Sequence, residues 1–138
     1  MEWAALITWL LTAAGGFVLL LVWVNRGGMR QKEAGNRIRP PLIMSHFLLA
    51  ATGLVLWIVY VFSDTDALAW IAFAILVVVA LLGWTMFAIW LRRRRTTEAA
   101  EADRPAEQNF PVPIVALHGV LAVTTVVLVF LAAIGVGS

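Results

Sequence analysis

Four long apolar runs limit this sequence to one structural class. They cover about residues 3–24, 42–62, 67–91 and 112–136, and none contains Asp, Glu, Lys or Arg. A run of about 20 apolar residues is long enough to cross the hydrocarbon core of a bilayer as a helix. Because lipid offers no hydrogen bonds to the backbone, each run is expected to be helical. The sequence therefore predicts an all-α, polytopic membrane protein, with residues 1–138 forming a single four-helix bundle.

The basic residues predict the orientation of this bundle. Every Lys and Arg lies between the first and second runs or between the third and fourth, and none lies near either terminus. By the positive-inside rule, these two loops are cytoplasmic and both termini lie outside the cell membrane. The Ala/Glu-rich segment 96–110 is expected to be a flexible cytoplasmic linker. The basic clusters lie against the membrane without a recognition fold, so lipid and not nucleic acid is the expected partner.

The only two histidines of the chain occur in matching surroundings. The sequence Pro-x4-His-x2-Leu-Ala-x-Thr runs from Pro41 through His46 to Thr52, and again from Pro113 through His118 to Thr124. A second motif, Gly-x6-Trp-x2-Arg, repeats on the first and third runs as Gly16, Trp23, Arg26 and Gly83, Trp90, Arg93. The matching order predicts a bundle built from a duplicated two-helix unit, related by an axis along the membrane normal.

Each histidine follows its proline by five residues, which places it about 7 to 8 Å into its helix. Both helices start on the same side, so His46 and His118 are expected to face each other at one level near the cytoplasmic surface. Each ring is expected to donate a hydrogen bond to its own helix, at the carbonyl of Leu42 or Ile114. Small residues are expected to leave space around the pair for a flat ring, namely Ala50, Gly53, Ala122, Gly16 and Gly83.

Two imidazoles without other ligands fit haem b, in which four pyrrole nitrogens fill the iron's equatorial plane and the protein supplies the axial pair. A bare zinc ion requires three or four protein ligands. Copper held by His46, His118 and Met44 is the remaining metal alternative. We therefore predict that His46 and His118 ligate one haem b. Arginines near the same surface are expected to pair with its propionates, drawn from Arg26, Arg37, Arg39, Arg92 and Arg93.

The layout resembles membrane-embedded b-type cytochromes, in which four-helix units hold haem between histidines on different helices. The resemblance rests on the four-helix pattern and on His46 and His118. It implies electron transfer, with a quinone or a redox partner protein as donor or acceptor. Catalytic motifs for other chemistry are absent, so an oxidoreductase subunit is the enzymatic role that the sequence leaves open.

Two other functions fit the same pattern. In an accessory or assembly subunit, the histidines would only hydrogen-bond within the bundle. In a haem-handling or haem-sensing protein, the site would be the same without sustained electron flow. Glycines on the first two helices also suggest close contact between two copies in a homodimer.

Overall fold

The computed structural model describes residues 1–30, 38–96 and 105–137, and within them it confirms the all-α four-helix fold. The helices are α1 (Glu2–Asn25), α2 (Pro40–Ser63), α3 (Asp66–Thr96) and α4 (Val112–Ala133). Single 3-10 turns follow α1 at Gly28–Arg30 and precede α4 at Ala106–Asn109. All four long helices are long and apolar enough to cross a membrane.

The helix ends follow from local chemistry. Proline stands in the first turn of both α2 and α4, where its fixed φ suits the helix and its missing N–H costs nothing. Helix α4 ends at Ala133, three residues before the predicted end, and Gly135 then adopts a left-handed φ of 81°. A residue with positive φ cannot continue the helix. Helix α3 instead runs five residues past its predicted end, through the arginine run to Thr96.

The outer surface of the bundle is apolar. Large hydrophobic side chains point outward along every helix, with Phe62 75% exposed and Leu81 63% exposed. In water such a surface would be costly, because large apolar patches are rare on soluble monomers. It is the surface expected of helices that face lipid on one side and one another on the other side.

The two halves of the chain make equivalent contacts. Helix α1 packs mainly on α4, and α2 packs mainly on α3, with lesser contacts between α1 and α2 and between α3 and α4. The second helix of each half thus lies against the first helix of the other half. Helices α2 and α4, which carry the histidines, are diagonal to each other.

Two buried clusters close the bundle at its ends. At the end bearing Glu2 and Asp66, which we call the acidic end, the rings of Trp9 and Trp57 lie 6.3 Å apart, and the Tyr60 ring lies 4.8 Å from that of Trp57. At the opposite end, the basic end, the cluster contains these buried side chains of the described residues: Trp23, Ile38, Ile43, Trp90, Ala106 and Phe110.

Part of the predicted linker packs against the bundle. Residues 105–110 form a turn whose Ala106, Glu107 and Phe110 are buried, and the flexibility of the 96–110 segment stays a prediction. Glu107 is 0% exposed, and its Oε1 accepts a hydrogen bond of 2.9 Å from the backbone N–H of Ile38. This bond joins the two segments that cover the basic end. The rest of the predicted linker, residues 97–104, lies outside the described residues.

Glu107→Ala should lower the free energy of unfolding by roughly 1–3 kcal/mol, because it removes the carboxylate oxygen that accepts the buried N–H of Ile38. Glu107→Gln retains an oxygen that can accept this bond and should lose distinctly less. Unfolding of the detergent-solubilised protein, followed by circular dichroism, measures both variants. Equal stability of wild type and Glu107→Ala would contradict the role assigned to this bond.

Candidate functional site

The two histidines meet in the interior of the bundle. His46 is the seventh residue of α2 and His118 the seventh of α4, and both helices start at the basic end. The centroids of the two imidazole rings lie 6.4 Å apart, with the ring planes at 65° to each other. The predicted meeting of the two rings is confirmed, whereas ligation of an iron by them stays a prediction.

Each ring donates a hydrogen bond to a neighbouring helix. His118 Nδ1 lies 2.9 Å from the carbonyl oxygen of Thr12 on α1, and His46 Nδ1 lies 3.0 Å from that of Val79 on α3. The prediction that the acceptors would be Leu42 and Ile114, in the histidines' own helices, is therefore wrong. Each histidine instead links its helix to the first helix of the other half.

The reason lies in a glycine one turn after each acceptor. Thr12 precedes Gly16 by four residues, and Val79 precedes Gly83 by four. In an α-helix the carbonyl oxygen of residue i lies beside the N–H of residue i+4. With no side chain at i+4, that oxygen is open on its second lone pair to a donor from outside the helix. The glycine thus gives each imidazole access to the backbone.

The contact at both glycines is close. A Cβ added to Gly16 would lie 2.9 Å from His118 Cε1, and one added to Gly83 would lie 3.2 Å from His46 Cε1. Gly15 also borders His118, with its added Cβ 3.6 Å from the histidine Cβ. The sequence prediction was that Gly16 and Gly83 clear space for a cofactor ring. In the structure, the side chains that they admit are the histidines themselves.

These bonds fix the protonation of both rings. A carbonyl oxygen only accepts, so Nδ1 must carry the hydrogen in each histidine. In a neutral imidazole the other nitrogen, Nε2, is then an unprotonated acceptor. Among the described residues, the hydrogen bonds of the two rings are made at Nδ1 and none is made at Nε2. Each ring therefore presents a nitrogen lone pair, at Nε2, in the apolar interior of the bundle.

The other predicted site residues lie in different parts of the bundle and differ in burial. Ala50 and Ala122 are half-buried on the histidine helices. Gly53 is buried, but an added Cβ would lie 3.0 Å from Trp9 Cζ2, so this glycine packs into the acidic-end cluster. Among the arginines, Arg26, Arg39 and Arg92 are exposed and Arg93 is half-buried, whereas Arg37 lies outside the described residues.

One polar contact departs from the repeat. The hydroxyl oxygens of Thr12 and Thr125 lie 3.2 Å apart between α1 and α4, and both side chains are buried. By the register of the repeat, Val79 and Gly53 stand at the equivalent positions of the other half. The helix pair that holds His118 is therefore more polar than the pair that holds His46.

The sequence analysis missed the burial of two tryptophans. The repeat identified Trp23 and Trp90 as equivalent residues but did not predict their burial. In the structure they are 0% and 5% exposed, and the indole Nε1 of each is buried without a hydrogen-bond partner in the described part of the chain. Their equivalent positions, seven residues after Gly16 and Gly83, were the available signal.

No group of three or more His, Cys, Asp and Glu side chains comes together in the described ranges 1–30, 38–96 and 105–137. The histidine pair is thus a two-donor site.

Comparison with protein-family models, with curated proteins and with solved structures found no match to this chain. The site is therefore interpreted from its own geometry.

Gly16→Ala should destabilise the protein by about 1–3 kcal/mol, because the new methyl group forces the His118 ring away from α1. Gly83→Ala should have the same sign and a smaller effect, since its Cβ would meet His46 at the longer distance. Denaturant titration in detergent measures the change.

Gly119→Ala on α4 is the matched control, because nothing lies within 4 Å of its added Cβ. There the gain in helix propensity should stabilise the protein by up to about 1 kcal/mol. If Gly16→Ala were as stabilising as Gly119→Ala, the close contact with His118 would be refuted.

Proposed function

We propose that this protein is a small b-type cytochrome of the cell membrane, in which His46 and His118 supply both axial ligands of one haem b. The observation that carries the proposal is the pair of facing imidazoles, 6.4 Å apart at their centroids, with both Nδ1 atoms engaged by backbone carbonyls. Metal-binding histidines commonly donate their second ring nitrogen to a carbonyl, which orients the ring and fixes its tautomer.

The spacing of the rings supports a shared metal atom. Two metal–nitrogen bonds of about 2 Å each, with roughly 1 Å from each nitrogen to its ring centre, give a centroid separation of about 6 Å. A direct N–H···N hydrogen bond between the rings would bring the centroids to about 5 Å. The observed 6.4 Å is close to the first of these separations, and it also falls in the range of ordinary edge-to-face ring contacts.

The donor set favours haem over a bare ion. Two imidazoles satisfy the axial positions of a haem iron, because the porphyrin supplies the remaining four nitrogens. Zinc would require further protein ligands, and the described residues bring no third His, Cys, Asp or Glu to the pair. When bound, haem b supplies a one-electron couple.

The chain's own residues would perform three tasks at this site. His46 and His118 would hold the metal through Nε2, and the carbonyls of Val79 and Thr12 would keep both rings in the ligating tautomer. The apolar helix faces around the pair would exclude water. The arginines Arg26, Arg37, Arg39, Arg92 and Arg93 remain the proposed partners of the propionates.

The histidine pair would lie near the cytoplasmic face of the membrane. The positive-inside rule assigns the arginine-bearing segments to the cytoplasm and both termini to the outside. Electrons would then enter or leave near the cytoplasmic face. A membrane quinone or a redox partner protein would serve as the other reactant, because the chain itself has one histidine pair and no second redox group of this type.

One observation favours a second candidate, a non-catalytic accessory or assembly subunit. The same two Nδ1 hydrogen bonds fasten α4 to α1 and α2 to α3, which is a structural function in itself. This candidate leaves the Nε2 atoms without a use, whereas haem ligation employs both. A haem-handling or haem-sensing protein would use the same ligands, and a redox titration with quinol as reductant distinguishes it from an electron carrier.

Purified protein, expressed with added haem precursor, should show a Soret band and the low-spin spectrum of a bis-histidine haem. His46→Ala and His118→Ala should each abolish that spectrum and lower haem affinity by more than about 100-fold, since losing even a supporting hydrogen bond costs about 10–100-fold. Optical titration with haem measures both effects.

Thr124→Ala serves as the control on α4, because its exposed hydroxyl bonds only the carbonyl of Val120 in its own helix. It should retain the spectrum. A wild-type protein that stays colourless with haem in excess would rule out the cytochrome, and retention of the low-spin spectrum in both histidine variants would assign the ligands elsewhere.

A further inference from the structure

Two buried indole N–H groups at the basic end have no acceptor among the described residues. Trp23 Nε1 on α1 and Trp90 Nε1 on α3 are both buried, and neither has a hydrogen-bond partner in the described part of the chain. Buried polar groups are almost always hydrogen-bonded, and a lone unpaired donor costs about 1–3 kcal/mol. Because the two donors occupy equivalent positions of the repeat, we expect one ligand to account for both.

The position of the indoles relates them to the histidine pair. Each tryptophan follows the glycine that contacts a histidine ring by seven residues. Seven residues are nearly two helical turns, so the tryptophan lies on the same face of its helix, about 10 Å nearer the basic end. The side chains of both belong to the buried cluster at that end.

In the ranges 1–30, 38–96 and 105–137, neither indole N–H is bonded to a carboxylate. Glu107 is the fully buried carboxylate at this end, and it accepts the backbone N–H of Ile38. A cation lies beside one of the two indoles, since the Arg94 guanidinium is 5.0 Å from the centroid of the Trp90 ring. An N–H donor with a cation nearby suits an anion.

We propose that Trp23 and Trp90 donate their indole N–H groups to the two carboxylates of the haem. This inference rests on the proposed function. Haem carries both propionates on one edge of its ring, so a haem held by His46 and His118 with that edge toward the basic end would extend its carboxylates toward the indoles. The two-fold relation of the tryptophans matches the presence of two carboxylates. The tryptophans thereby orient the cofactor, and the exposed arginines neutralise its charge.

The test compares haem b with haem b dimethyl ester, in which both carboxylates are blocked, on the full chain in detergent. Wild type should bind haem about tenfold or more tightly than the ester, because hydrogen bonds to a charged group are stronger than those to a neutral one. Trp23→Phe and Trp90→Phe retain a large ring and remove the donor. Each should weaken haem binding by about tenfold, leave the ester's affinity unchanged, and preserve the bis-histidine spectrum.

Trp57→Phe is the matched control, because this buried indole at the acidic end already donates to the Glu2 carbonyl at 3.4 Å. It should not change the preference for haem over the ester. Ultraviolet resonance Raman spectra of wild type give a second reading that needs no variant: the indole N–H bands should shift with haem and not with the ester.

The outcomes separate this inference from the function on which it rests. If wild type binds haem through both histidines but does not prefer it over the ester, the indoles have no part in carboxylate binding. If Trp23→Phe and Trp90→Phe weaken haem and ester alike, the tryptophans act by packing, and the inference is again overturned. If wild type binds no haem, both proposals fail together.

Discussion

The arrangement of this bundle depends on a hydrogen bond made twice, from a histidine Nδ1 to a backbone carbonyl of another helix. His118 bonds Thr12, and His46 bonds Val79. Each bond joins the second helix of one half to the first helix of the other, and these are the helix pairs that pack most extensively. In an apolar interior a polar side chain must find a partner, so the histidines specify which helices lie together as well as what chemistry the interior offers.

The same bond connects packing to chemistry. The glycines at 16 and 83 bring the rings against the neighbouring backbone, and the carbonyl there takes the Nδ1 hydrogen. The unprotonated Nε2 is then the atom of each ring that can coordinate a metal. A purely structural histidine needs only one bonded nitrogen, whereas a metal ligand needs one nitrogen bonded and the other bare. The proposed haem site follows from this division between the two nitrogens, together with the separation of the rings.

The four helices and the meeting of the histidines could be predicted from sequence, because apolar length defines a membrane-spanning helix and equal distances from the two prolines define a common depth. The acceptors Thr12 and Val79 could not be predicted. Whether a ring bonds a carbonyl of its own helix or of a neighbouring helix depends on which helices are in contact. The burial of Glu107 could not be predicted either, because a charged residue in a polar segment normally remains in water. In the structure it is buried, and its Oε1 accepts the N–H of Ile38 from a distant segment.

The threonine pair between α1 and α4 makes the two-fold relation of the bundle incomplete. Thr12 and Thr125 place two hydroxyl groups in the helix pair of His118, whereas Val79 and Gly53 leave the corresponding region of His46 without any. The helix arrangement of the site is thus duplicated, but the hydroxyl groups beside the histidines are not. The His118 ring consequently lies in a more polar part of the bundle than the His46 ring.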